Sequence, residues 1–197
     1  MLRLAFASIL TCVTLTTASP ADETSIGADG LHKQSWFLNS SGDLRRDLSN
    51  AVADDKILML VIEQIGCAYC AEMHTRNFQR PEILEIVESN FVVLQLDLNG
   101  SDVVVDLDGE SAKESALMRK WGVFTTPTTI VLRNDATGGV PLKDAEAFRL
   151  PGYLKPFEHF AVLDYFASGA FETEDLRPFM LAKFDELVSG GLNPASW

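Results

Sequence analysis

Cysteine and histidine are scarce in this chain. Its 197 residues include three of each type, and the cysteines are Cys12, Cys67 and Cys70. A structural zinc site usually takes four such ligands, but the sequence has no second Cys-x-x-Cys motif and no histidines at ligand spacing. The scarcity argues against a metal site and leaves Cys67 and Cys70 as the main chemical feature.

Basic residues are also few relative to acidic ones. The chain has 16 lysine and arginine residues against 28 aspartate and glutamate residues, and its formal net charge is -12. So acidic a chain is repelled by the phosphates of nucleic acids and by anionic lipid. We therefore expect no nucleic-acid partner, and we interpret the acidity as favouring solubility rather than as a docking surface.

Long apolar runs are absent beyond the N-terminal segment, so we expect no membrane span in the mature chain. Residues 1–21 combine Arg3, an apolar run over residues 4–15 and small residues near their end. This arrangement predicts a secretory signal peptide. Its cleavage would remove Cys12, and the sequence predicts a periplasmic or secreted protein that keeps two cysteines.

The rest of the chain predicts one domain with a flexible leader and a helical extension. The leader, residues 22–35, is polar and contains glycine. The extension, residues 171–197, includes a helix near residues 176–188. Between them, helical spacing and apolar runs predict helices and strands. The helices cover residues 42–53, 67–77, 81–90, 111–121 and 157–165, and the strands cover residues 57–62, 91–98, 128–133 and 147–150.

The order of these elements predicts an α/β fold with a central mixed sheet flanked by helices. Helices and strands alternate first, and the last two strands follow each other, which predicts an antiparallel edge. The strand at residues 57–62 is apolar throughout, so it should be central and buried on both faces. Ser111 and Glu114 resemble a capping box at the start of a helix that ends at Gly122.

Cys67 and Cys70 stand three residues apart where a strand leads into a helix, a position that favours thiol-disulfide exchange. Cys67, at the first turn, can be held as a thiolate by free N–H groups and act as the nucleophile. Cys70 lies one turn deeper and can resolve the mixed disulfide. The alternative is a structural disulfide, although so small a loop restricts the unfolded chain little. Haem attachment is excluded because Ala71, not histidine, follows the pair.

These motifs resemble the thioredoxin superfamily over about residues 36–170. The resemblance rests on Cys-Ala-Tyr-Cys at 67–70, Thr-Thr-Pro at 125–127 after a helix, and Pro-Gly-Tyr at 151–153. Within the superfamily, residues 63–70 and the segments around Asp-Leu-Asp-Gly and Gly-Tyr-Leu-Lys-Pro are similar to periplasmic SoxW-like thioredoxins, which are associated with bacterial sulfur oxidation. The resemblance implies a thioredoxin fold and a disulfide oxidoreductase without a cofactor.

The resemblance also implies roles for residues near the cysteines. In thioredoxins a cis-proline loop faces the active-site pair, and here it would contain Pro127, with Thr126 offering backbone hydrogen bonds to an extended substrate. Sequence alone favours a trans bond. The alternative to a substrate-facing loop is a proline that starts a strand. Tyr69, between the cysteines, is expected to be exposed and to contact a partner, whereas Trp121 is expected in the core.

Proton transfer is where the chain departs from the thioredoxin pattern. The buried carboxylate of many thioredoxins precedes the first cysteine by six residues, and that residue is Val61 here. Glu63 is either a proton acceptor for Cys70 or a solvated charge at the strand end. The lysine often found on the neighbouring strand is replaced by Gln95. His74 is expected to be a solvated helix residue.

The leading hypothesis is a periplasmic reductase of protein disulfides. By similarity, its electrons would come from a membrane donor of the CcdA or DsbD type. An oxidant or disulfide isomerase is an alternative, since the same chemistry runs in either direction. A non-catalytic thioredoxin-like binding module is another, with the acidic surface or the C-terminal helix as its docking element.

Overall fold

The computed structural model describes residues 24–133 and 135–197, so the predicted signal peptide and Cys12 lie outside the described residues. The strands are β1 (Ser25–Ile26), β2 (His32–Lys33), β3 (Ile57–Glu63), β4 (Phe91–Asp97), β5 (Val103–Val105), β6 (Ser111–Lys113), β7 (Thr128–Leu132) and β8 (Glu146–Pro151). The α-helices are α1 (Leu44–Ala53), α2 (Ala68–Glu72), α3 (Pro81–Asn90), α4 (Glu114–Trp121), α5 (Leu142–Ala145), α6 (Pro156–Ala167) and α7 (Leu176–Ser189). A π-helical turn, Met73–Asn77, continues α2, and we call residues 68–77 together the redox helix.

Four strands form the central sheet in the order β4-β3-β7-β8. All seven side chains of β3 are buried, and only the last of them, Glu63, is charged. The strand pairs in parallel with β4 and antiparallel with β7, and β8 adds an antiparallel edge. The predicted mixed sheet with a central apolar strand is confirmed.

Helices cover both faces of this sheet. On one face, Leu48 of α1 and Leu117 of α4 pack in a cluster with Leu60 of β3. On the other face, Ile83 of α3 packs in a second cluster with Met59. Neighbouring residues of β3 enter different clusters because successive side chains of a strand point to opposite faces. The continuous apolar run of β3 therefore contributes side chains to two hydrophobic clusters, one on each face of the sheet.

The start of α4 differs from the prediction. Ser111 does not cap the helix but lies in β6, opposite Val105 of β5. The helix begins at Glu114, whose carboxylate accepts the Asp97 backbone N–H at 3.1 Å instead of closing a capping box. Strand pairing here outweighs the local capping pattern. The predicted end at Gly122 is confirmed, since this residue has the left-handed φ of 68° that favours glycine.

Residues 24–35, within the predicted flexible leader, contain two paired strands. β1 and β2 pair antiparallel, and we call residues 24–35 the N-terminal hairpin. Lys33 donates a hydrogen bond to Gln95 of β4 at 2.5 Å, and Gln34 contacts His74 in the redox helix at 3.1 Å. The hairpin is thus attached through polar contacts with distant segments, which its composition does not reveal.

The predicted C-terminal helix is present and packs on α6. Lys183 of α7 forms an ion pair with Asp164 of α6 at 2.9 Å. The Trp197 ring packs edge-on against Phe160, and the Arg80 guanidinium lies 3.9 Å from the centre of its ring. Across the described ranges, no helix has the length and apolar character needed to cross a membrane.

A buried histidine joins α6 to the redox helix. His159 Nδ1 lies 2.8 Å from Asn77 Nδ2, and the same amide nitrogen lies 2.9 Å from the Leu154 carbonyl oxygen. A carbonyl can only accept, so this amide group is the NH₂, and it donates to His159 Nδ1. Burial lowers the pKa of His159 to about 4 because the charged imidazolium loses its hydration.

The packing of the N-terminal hairpin predicts unequal effects of two substitutions within it. Leu31 is 3% exposed and Ile26 is 59% exposed. We expect Leu31→Ala to lower the free energy of unfolding by about 2–4 kcal/mol, the usual cost of truncating a buried leucine, and Ile26→Ala to change it by less than about 0.5 kcal/mol. Urea denaturation measures both. Equal and small effects would mean that the hairpin is detached from the fold.

Burial of neutral His159 predicts a loss of stability in acid. Its pKa is about 4 when folded and about 6.5 when unfolded, so the unfolded chain binds the proton more readily between these values. The stabilisation is complete above about pH 6.5, and we expect about 3 kcal/mol to be lost as the pH falls to about 4. Urea denaturation of wild type and His159→Gln at several pH values measures this loss. A variant as acid-sensitive as wild type would contradict the assignment.

Candidate functional site

The cysteine pair lies in the turn between β3 and the redox helix. Gly66 has a φ of 77° there, and Cys67 follows it with extended backbone as the residue before α2. Its sulfur accepts the Cys70 backbone N–H at 3.1 Å. The two cysteines are joined in a disulfide, with their Cα atoms 5.2 Å apart. The described chain is therefore in its oxidised form.

The two cysteines differ in exposure. Cys67 is half-buried, whereas Cys70 is 1% exposed. Tyr69, between them, is 61% exposed, as the sequence predicts for a residue that contacts partners. An incoming thiolate or disulfide can reach Cys67 more easily than Cys70. The geometry is the one required for Cys67 as nucleophile and Cys70 as resolving thiol, roles that stay predictions.

The Pro127 loop lies at the same edge of the sheet as the cysteine turn. The Thr126-Pro127 bond is cis, as expected from the resemblance. Thr128 begins β7 and pairs with Ile62, near the end of β3. Because the two strands are antiparallel, the segment before β7 and the segment after β3 leave the sheet at one edge. Among the described residues, the backbone N–H and carbonyl of Thr126 have no hydrogen-bond partner.

The loop after β8 links this proline loop to the redox helix. The Gly152 N–H donates to the Pro127 carbonyl at 2.7 Å. The Tyr153 ring stacks on Tyr69 with centroids 5.7 Å apart, and its hydroxyl donates to Asn77 at 2.9 Å. Burial raises the pKa of Tyr153, so the phenol stays neutral and can donate. The Pro-Gly-Tyr motif at residues 151–153 thus connects the Pro127 loop to the redox helix, and the sequence pattern alone does not reveal this connection.

Glu63 and His74 are both buried, so the expectations of a solvated Glu63 and a solvated His74 are wrong. Each residue is 0% exposed. Glu63 Oε1 lies 2.9 Å from His74 Nε2, and Glu63 Oε2 accepts a hydrogen bond from Gln95 Nε2 at 2.7 Å. The N-terminal hairpin supplies Gln34 to the other nitrogen of the His74 ring. The other predicted role of Glu63, as a proton acceptor for Cys70, stays a prediction.

A lysine reaches this region from an unexpected segment. Gln95, on the neighbouring strand, lies opposite Val61 in the β3-β4 register. Its Oε1 accepts from Lys33 of the N-terminal hairpin at 2.5 Å, and its Nε2 also donates to the His32 carbonyl at 2.7 Å. Sequence reasoning missed Lys33 and Gln34 because no local pattern marks them.

The arrangement does not resemble a metal centre. In residues 24–133 and 135–197, no three or more histidine, cysteine, aspartate or glutamate side chains are grouped so as to hold a metal ion.

Trp121 lies in the core, as predicted. Its side chain is 8% exposed, and its indole N–H donates to the Asp106 carboxylate at 3.1 Å.

Comparisons with known proteins place this geometry in a family. A family model described as a thioredoxin-like domain matches residues 44–167. A solved thioredoxin-fold protein from Helicobacter pylori is 20% identical, with a TM-score of 0.54, over 67% of this chain and 86% of that one. A thioredoxin from Thermus thermophilus is 23% identical, with a TM-score of 0.48, over 61% and 81%. No functionally curated protein matches the chain.

The oxidised C-terminal domain of DsbD from Neisseria meningitidis is also similar. It is 20% identical, with a TM-score of 0.44, over 71% of this chain and all of that domain. At this identity the Helicobacter structure supports the fold alone. The family model covers more than half of the chain and includes every strand of the central sheet, and the chain therefore belongs to the thioredoxin-like family.

Proposed function

We propose that this protein is a periplasmic thiol-disulfide oxidoreductase that reduces protein disulfides. The observation that carries the proposal is the unequal exposure of the Cys67–Cys70 disulfide at the sheet edge shared with the Pro127 loop. A purely structural disulfide needs no exposed sulfur. Exchange with a partner needs one sulfur that the partner can contact and a second sulfur that later attacks the mixed disulfide.

The reaction transfers two electrons to the substrate. The Cys67 thiolate attacks a substrate disulfide, so a Cys67-substrate bond forms and one substrate sulfur leaves as a thiolate. The Cys70 thiolate then attacks Cys67, which forms the protein disulfide and releases the second substrate sulfur. A reductant must restore the dithiol, and we propose a membrane donor of the CcdA or DsbD type for this step.

Exposed apolar side chains near the reactive elements support a protein substrate. Ile65 precedes the cysteine turn, and Phe124 precedes the Pro127 loop; they are 66% and 75% exposed. Exposed apolar surface of this kind favours protein contacts. The unpartnered backbone groups of Thr126 can pair with an extended peptide as an added strand would. The substrate is thus an extended segment with apolar residues near its cysteine.

Glu63 is the proposed proton acceptor for Cys70. Val61 occupies the position where many thioredoxins carry a buried carboxylate, and Glu63 lies two residues further along β3. Alternate residues of a strand share a face, so Glu63 projects toward the same side as Val61. This shift by two residues retains a buried carboxylate near the redox helix.

The periplasmic setting and the link to sulfur oxidation are part of the proposal. Their support is the signal-like pattern of residues 1–21 and the similarity to SoxW-like thioredoxins. In an oxidising compartment a reductase must receive electrons across the membrane, because cytosolic reductants do not reach it. Proteins of sulfur oxidation are the proposed substrates.

Cysteine variants test the catalytic proposal. In an insulin-reduction assay we expect wild type to be active and Cys67→Ser and Cys70→Ser to fall to the uncatalysed rate, since each sulfur is needed for turnover. Cys70→Ser should also accumulate a mixed disulfide, because its Cys67 attacks and nothing resolves the product. Ala53→Ser, on the exposed surface of α1, is the control for a serine substitution.

The same assay separates the alternatives. If wild type and both cysteine variants behave alike, the protein is a non-catalytic binding module. A reduction potential near that of strong oxidants, on the order of -120 mV, would contradict the reductive direction.

Fractionation of bacterial cells that express the full chain tests the location. We expect the protein in the periplasm, shortened by about 21 residues as its signal-like pattern implies, with the new N-terminus identified by mass spectrometry. Leu10→Asp, which interrupts the apolar run, should leave the uncleaved chain in the cytoplasm. Cytoplasmic, full-length wild type would rule out export.

A further inference from the structure

Three side chains converge on one backbone carbonyl of the redox helix. The His74 carbonyl accepts from Thr24 at 3.3 Å, from Gln34 at 3.3 Å and from Gln79 at 3.2 Å. The π-helical turn explains the need for them. The Phe78 N–H donates to the Met73 carbonyl at 2.9 Å, and no backbone N–H of the described residues is left for the His74 carbonyl.

Gln34 determines which nitrogen of His74 carries the proton. Its Nε2 lies 3.1 Å from His74 Nδ1 as well as near the His74 carbonyl. A carbonyl can only accept, so the Gln34 group at this position is the NH₂. That NH₂ donates to Nδ1, which therefore bears no proton. The ring is neutral with its proton on Nε2, and Nε2 donates to Glu63 at 2.9 Å.

The second oxygen of Glu63 is held in the same way. Gln95 donates to it through Nε2, and the orientation of this amide is determined by Lys33, whose ammonium donates to Gln95 Oε1. Each Glu63 oxygen thus faces one N–H donor, the arrangement that suits an ionised carboxylate. The other titratable groups nearby are Asp97, beside Glu63 in the sheet, and His32, whose ring centroid is 5.4 Å from that of His74.

His74 places this carboxylate on the side of the redox helix that carries the resolving cysteine. It follows Cys70 by four residues on the redox helix, and both residues are buried. Residues four apart on a helix lie on one face, with Cβ atoms about 5–6 Å apart. The Glu63–His74 pair is therefore on the buried side of the redox helix, the side that carries Cys70 and not the side that partners reach.

We propose that Gln34 and His74 are positioning residues that hold the Glu63 carboxylate in the orientation that takes the proton of Cys70. This inference rests on the proposed function. In the resolving step the Cys70 proton moves to Glu63, and the Cys70 sulfur bonds to Cys67. The bond between Cys67 and the substrate breaks with its electron pair on the substrate sulfur. Glu63 later returns its proton to that sulfur or to water.

The histidine tautomer can be read directly by nitrogen NMR on ¹⁵N-labelled protein. In wild type we expect the His74 proton on Nε2 and a bare Nδ1. Gln34→Glu replaces the donor by an acceptor of the same shape and should bring a proton onto Nδ1. Gln79→Met removes a contact to the His74 carbonyl without touching the ring and should leave the tautomer unchanged. A wild-type proton on Nδ1 would overturn the inference.

The resolving rate is measured with an excess of a chromogenic aromatic disulfide and the reduced protein. The first thiol released reports attack by Cys67, and the second reports attack by Cys70. At neutral pH we expect Gln34→Met and His74→Gln to slow the second release by about 10- to 100-fold. A general base contributes about 10²–10⁴-fold, and these variants displace Glu63 without removing it. Their first release should stay within about twofold of wild type, as should both releases of Gln79→Met.

The pH profile separates positioning from a general loss of structure. At high pH Cys70 ionises without a base, so the second rates of the variants should converge on that of wild type. If His74→Gln does not fold, Gln34→Met still tests the inference. A wild type that releases both thiols, with variants that keep its second rate at every pH, overturns this inference alone. A wild type that releases neither thiol overturns the proposed function as well.

Discussion

The buried carboxylate of Glu63 is the constraint on which the rest of the site depends. A charge without water is costly unless hydrogen bonds replace its hydration. His74 and Gln95 supply those bonds, and each is held in turn by the N-terminal hairpin, through Gln34 and Lys33. This one side chain therefore connects the N-terminal hairpin, the π-helical turn of the redox helix and the polar residue in the middle of β4.

Features encoded in a few adjacent residues could be predicted from the sequence. The apolar run of β3 specifies a central strand, because only a strand buried on both faces accommodates it. Gly122 ends α4 by a conformation that other residues avoid. The cysteine motif and the cis bond at Pro127 also follow from short patterns, the second through the family resemblance. For β3 and Gly122 the physical cause is local.

What could not be predicted depends on contacts between distant segments. Gln34 and His74 are 40 positions apart, and Lys33 and Gln95 are 62 apart. A polar residue buried by such a pair looks like a solvated one in the sequence. Ser111 is the opposite case. The local sequence has the pattern of a helix cap, but Ser111 pairs in a strand with Val105 instead. The N-terminal hairpin was missed for the first reason, since its polar composition conceals contacts that satisfy buried groups.

Under the proposed function, the burial of Cys70 behind Cys67 has a consequence for how electrons pass through the protein. If a single sulfur is accessible, the donor that reduces the domain and the substrate that oxidises it must occupy the same face. They cannot be bound together, so the domain cannot act as a bridge between them. The domain must bind the donor and the substrate in turn, and the two partners compete for the face that exposes Cys67.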